Sequence, residues 1–95
     1  MESSEAIEII KKWYQTKCNG TWEHEFGIEI KNIDNPGWHI NIRDDFKKIP
    51  LTYKMEYTES NWIHVNATDV NFSAYGGPGN LNDLLIFAAK WLTDY

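Results

Sequence analysis

Cysteine is nearly absent from this 95-residue chain. Cys18 stands alone, so no disulfide can form within the chain, whereas small exported domains usually carry several pairs. Long apolar runs are also missing. Nothing approaches the roughly 18 consecutive apolar residues of a membrane-spanning helix, and the opening MESSEAIEIIKKWY is acidic and amphipathic rather than a basic leader followed by an apolar stretch. Positive charge is scarce: nine Lys and Arg against fourteen Asp and Glu leave a formal net charge of -5. That balance opposes the counterion release that drives binding to nucleic acid. The expectation is a soluble cytoplasmic chain with neither a nucleic-acid nor a membrane partner. N-x-[ST] triplets begin at Asn19, Asn66 and Asn71, but without an export signal so short a motif carries no weight.

Aromatic residues are plentiful. They make up 15% of the chain, with five Trp and five Tyr, and supply the buried area that a single domain spanning residues 1–95 needs at this small size. Ala6, Ile9, Ile10, Trp13 and Tyr14 recur at helical spacing, with Ser3 or Ser4 as the expected N-cap and Asn19-Gly20 as the stop. Leu81, Leu84, Leu85, Ala88, Trp91 and Leu92 form a second apolar stripe after Gly76-Gly77-Pro78-Gly79, with Asn80 as its expected N-cap.

Between these helices the pattern alternates. Trp22, His24, Phe26, Ile28 and Ile30 read as the inward side of one strand, leaving Glu23, Glu25, Gly27, Glu29 and Lys31 outward. A turn at Asp34-Asn35-Pro36-Gly37, with Gly37 expected at positive φ, leads to Trp38, Ile40 and Ile42. Matching the apolar sides sets Ile30 opposite Ile40 and Ile28 opposite Ile42, with Arg43 diagonal to Glu25 and Glu29. Ile49, Leu51, Tyr53, Met55 and Tyr57, then Ile63, Val65 and Ala67, suggest two more strands, and Phe72 to Tyr75 a fifth. The expected fold is α+β: a two-layer domain with an N-terminal helix, a four- to five-stranded antiparallel meander sheet and a C-terminal helix. Both helices would cover one sheet face and leave the other polar and open.

Catalytic and ligand-binding chemistry finds little support. His24, His39 and His64 have no closely spaced partner ligand, so no metal site is expected. Cys18 has no local feature that would activate it. GGPGNL (Gly76 to Leu81) fits neither the dinucleotide fingerprint nor the P-loop, and Asp83 would put negative charge where a phosphate should sit. No catalytic residues and no cofactor are assigned. What remains is an acidic, partly aromatic outward face of Glu23, Glu25, Glu29, His39, Asn41, Glu56, Trp62 and His64, suited either to solvent or to a basic protein surface. A small hydrolase using His24 with Cys18 or a glutamate, and an acidic protein–protein adaptor, stay open as alternatives.

One further pattern runs through nearly the whole chain. WEHEFG (Trp22 to Gly27), NIDNPGW (Asn32 to Trp38), SNWI (Ser60 to Ile63) and F-x-x-x-GGPGNL (Phe72 to Leu81), with Phe87 and Trp91 in the last helix, resemble in their order the immunity protein 53 family of bacterial polymorphic toxin systems. The resemblance implies a non-enzymatic cytoplasmic inhibitor that binds a cognate polymorphic or contact-dependent toxin domain. A nuclease with a basic active-site groove is the expected toxin, because an acidic protein could be steered into such a groove. The outward face is then the expected toxin interface.

Overall fold

A computed structural model describes residues 1–93. Helix α1 spans Ser3–Lys17, a single 3₁₀ turn covers Trp22–His24, and five strands follow: β1 Gly27–Ile33, β2 Gly37–Arg43, β3 Leu51–Thr58, β4 Asn61–Ala67 and β5 Asn71–Gly76. Helix α2, Leu81–Thr93, closes the described chain. The strands form one antiparallel sheet in the order β1-β2-β5-β4-β3. The α+β architecture of a helix, an antiparallel sheet and a helix is therefore the one the sequence predicts. The order also sets β5 in the centre, where it joins the β1–β2 hairpin to the β3–β4 hairpin.

Side-chain parity gives the sheet two distinct faces. Ile28, Ile42, Phe72, Ala67 and Leu51 form one continuous cross-strand row, and Ile30, Ile40, Ala74, Val65 and Tyr53 the next. The pairings Ile28 with Ile42 and Ile30 with Ile40 are those expected from matching the apolar sides. Ile40, Ile42, Phe72 and Ala74 are wholly buried and form one core with Leu84, Leu85, Ala88, Ala89 and Trp91 of α2 and Ala6 and Ile10 of α1. Helix α2 lies over β2, β5 and β4, while α1 packs chiefly along α2. Coverage thins at both sheet edges, where Ile30 of β1 keeps 46% and Tyr53 of β3 42% of its surface exposed.

Small residues let α2 sit close to the central strand. A Cβ on Gly76 would lie 3.2 Å from Leu84, tighter than ordinary packing tolerates. Gly37 was expected at positive φ, yet only Gly20 and Gly27 take it among the described residues. Gly37 instead begins β2, and a Cβ there would lie 2.1 Å from the carbonyl oxygen of Gly76. Close passage of two backbones, rather than an unusual dihedral, is what demands glycine.

Three other expectations are corrected. The residue capping α1 is Glu2, not Ser3 or Ser4, which already lie at the helix start; the Glu5 carboxylate accepts from the Glu2 N–H at 3.5 Å. Ile49 lies outside β3 and is 66% exposed, as chain crosses there from β2 toward the far edge of the sheet. Trp22 to Phe26 is not the first half of a strand: the Phe26 N–H donates to the Trp22 carbonyl at 2.9 Å, winding the segment into a turn.

Candidate protein-interaction face

The 3₁₀ turn changes where the first acidic residues go. The Glu23 carboxylate bends back to accept from the Asn19 and Gly20 N–H groups at 2.9 and 2.8 Å. The backbone N–H of Glu23 itself, together with those of Asn19 and Gly20, holds its pKa below the usual glutamate value. It is therefore a loop cap and does not lie on the strand face on which it was expected. Glu25 is exposed at the end of the turn, ahead of β1. His24, expected to point inward, is exposed as well. Arg43 pairs opposite Gly27 and so lies diagonal to Glu29 as expected, but not to Glu25, which precedes the strand; its guanidinium lies 5.9 Å from the Phe26 ring centre.

The other six expected residues share the face that no helix covers. One cross-strand row there reads Glu29, Asn41, Ser73, Asn66 and Thr52; the adjacent row reads Lys31, His39, Tyr75, His64 and Lys54. Glu56 pairs opposite Trp62 one step further along. His39 and His64 thus flank Tyr75 across the central strand, with the His39 ring stacked on Tyr75 at 4.1 Å and 8°. The His39 Nε2 also lies 3.2 Å from the Ser73 hydroxyl. Burial, with a lesser push from the Lys31 charge, lowers the His39 pKa below its ordinary 6.5, so the ring is neutral at pH 7.

The face is less acidic than its sequence suggests. Glu29 is paired with Lys31 at 3.5 Å, and Glu56 with Lys54 at 3.5 Å and His64 at 2.8 Å. The hydrogen bond from His64, aided by the Lys54 charge, holds the Glu56 carboxyl below the usual range. Its middle is consequently a near-neutral aromatic and amide surface centred on Tyr75, which the sequence did not single out. Where the β1–β2 and β3–β4 turns meet, Glu59 makes no ion pair among the described residues and leaves one negative charge unpaired there.

A second constellation was not legible at all. Asp44, only 2% exposed, accepts from the Trp13 and Trp22 indole N–H groups at 3.2 Å each and pairs with Lys17 and Lys48. Burial alone would raise its pKa, but the hydrogen bonds from Lys48 and Lys17 outweigh that and hold the carboxyl far below the usual aspartate range. The cluster ties α1, the 3₁₀ turn and the β2–β3 connection together. Every oxygen is occupied, so it is a structural hub rather than a site for substrate. Cys18, at the end of α1, is exposed beside Tyr14, and the neighbouring thiol raises the Tyr14 hydroxyl pKa. Among the described residues no cluster of three or more His, Cys, Asp or Glu could hold a metal ion, and no helix is long and apolar enough to cross a membrane.

Fold and surface together define a small α+β protein with an uncovered, aromatic-centred sheet face. The family model described as Immunity protein 53 matches residues 7–93, and the chain belongs to that family. The family's name points to a toxin-neutralising role exercised by binding a toxin protein. No curated protein and no solved structure matches the chain.

Proposed function

We infer that this protein is the immunity partner of a polymorphic or contact-dependent toxin domain, held in the cytoplasm of the producing bacterium and acting by binding rather than by catalysis. The family match over residues 7–93 carries this reading. The uncovered sheet face supplies the docking surface. Tyr75 and His39 present stacked rings on this face, Trp62 adds a third at one end, and Glu29, Asn41, Glu56 and His64 lie around them. Aromatic anchors ringed by polar groups are the arrangement that concentrates binding energy in protein interfaces. Glu25, exposed next to this face, adds negative charge at its margin; Glu23, engaged with its own loop, contributes through that loop's shape. The net charge of -5 favours a toxin with a basic groove, and a nuclease is the class that best answers to it.

Co-expression with the toxin domain encoded beside this gene tests the role: restored growth and a stable complex are expected, and continued toxicity with no complex would refute it. The face is tested separately by E25K combined with E29K. If those charges steer the encounter, association slows and its salt dependence flattens; unchanged association kinetics would reject their part in the face.

A further inference from the structure

The uncovered face is hollow at one end. Between the β1–β2 and β3–β4 turns lies an open concavity of about 820 Å³, walled by Pro36, Tyr57 and Trp62 and edged by Glu56, Glu59 and His64. A register shift between Glu56 and Thr58 carries the intervening Tyr57 out of the ladder, leaving it 80% exposed at the lip. Trp62 is half-buried, and its ring meets His64 at 5.3 Å and 64°.

The charges at the edge are arranged unequally. Glu56 is held by His64 at 2.8 Å and by Lys54 at 3.5 Å, while Glu59 makes no ion pair among the described residues. No lysine or arginine lines the hollow. It therefore combines two carboxylates, one held in place and partly balanced by Lys54 from outside the hollow and one free, with exposed ring surface. A guanidinium satisfies both at once: its plane stacks on an aromatic ring while its edge donates to carboxylates. An ammonium, compact and more strongly hydrated, would use the charge but not the ring.

We propose that this hollow is the socket for an arginine side chain of the toxin, with Trp62 as the stacking wall and Glu56 and Glu59 as the acceptors. The proposal rests on the immunity reading and adds to it the side chain that the face receives.

Two measurements on the full chain decide the matter. In the first, ¹⁵N-labelled protein is titrated with Nα-acetyl-arginine amide and, in parallel, with the uncharged Nα-acetyl-citrulline amide. Saturable movement of the Trp62 indole N–H signal and the Glu59 amide is expected with arginine only, and is lost in E56Q/E59Q. Equal responses to the two probes, or movement centred elsewhere, overturn the socket. In the second, the toxin domain encoded beside the gene is bound to wild type and to E56Q/E59Q. Loss of charge-assisted hydrogen bonds should weaken the complex about tenfold or more, and one arginine of the toxin should show non-additive loss when mutated together with the pair. Toxin binding that ignores E56Q/E59Q overturns the socket and leaves the immunity reading intact, even if free arginine amide still binds. Failure of the wild-type chain to bind the toxin overturns the reading itself.

Discussion

Trp13 and Trp22 meet edge to face, ring centres 5.4 Å apart at 85°, with the N–H of each indole directed at one of the two oxygens of the buried Asp44 carboxylate. One residue comes from inside α1 and the other from the turn after it, so a single charge fixes the angle at which the helix leaves for the sheet. Lys48, whose side chain is 5% exposed, reaches the same carboxylate from the connection to β3.

Asp44→Ala should therefore cost about 3–5 kcal/mol, because it strands a buried lysine and two indole N–H groups. Denaturant unfolding measures this, and a loss within about 0.5 kcal/mol of zero, as at an ordinary surface site, would contradict the hub.

The same carboxylate predicts acid lability of a definite sign. Its folded pKa is depressed from the ordinary 3.8, so its contribution is fully present above that value and erodes as the pH falls below it toward the folded value. The melting temperature should drop steeply below about pH 4 in the wild type. In Asp44→Asn that part of the slope should be missing, and an identical acid limb in the two proteins would count against the assignment.

His39 predicts a second, shallower slope at higher pH. Burial holds its ring neutral below the ordinary 6.5, so protonation penalises the folded state, and stability should decline as the pH falls from 6.5 through the lowered value. An NMR titration of the His39 ring protons reads the lowered midpoint directly. Replacement by Gln should remove this slope while leaving the one at lower pH.

Gly37→Ala tests the close passage of β2 and β5. With Gly76 O only 2.1 Å from the new methyl position, the strands must separate, at a cost of about 1–3 kcal/mol. Gly79→Ala is the control, because a Cβ there meets nothing within 4 Å. Comparable stability of the two variants would show that the strands give way freely.

Parity made much of this fold readable. The alternating isoleucines of β1 and β2 allow only one register that buries them together, and the helical stripes around Ile10 and Leu84 have the partners their periodicity requires. The WEHEF segment misled because residues four apart also share a side when the chain winds into a tight turn: Trp22 and Phe26 stack at 6.0 Å without any strand between them. Asp44 was invisible for a different reason. Beside Asp45 it looks like solvated charge, and its indole donors come from 31 and 22 residues away. The open face was found by parity, but its charge was overestimated, since Lys31 and Lys54 lie next to the glutamates they neutralise. Most family motif positions record the fold, since the structural uses of Trp22, Gly37 and Gly77 suffice to explain them; Pro36 and Trp62 are the motif residues that reach the open face.

Tyr75 offers the sharpest separation of fold from function. It is 40% exposed, stands near the end of the central strand and stacks on His39 across the open face, away from the apolar core. Tyr75→Ala should leave the core intact and cost at most about 1 kcal/mol through loss of that ring pair. In an interface centred on this face the same ring is a desolvated anchor, and its truncation should cost about 2 kcal/mol or more of affinity. The loss should appear mainly as faster dissociation from the toxin, because an uncharged ring contributes little to long-range steering. Surface plasmon resonance with the cognate toxin domain distinguishes the outcomes: a dissociation rate unchanged by Tyr75→Ala would move the interface off this sheet face altogether.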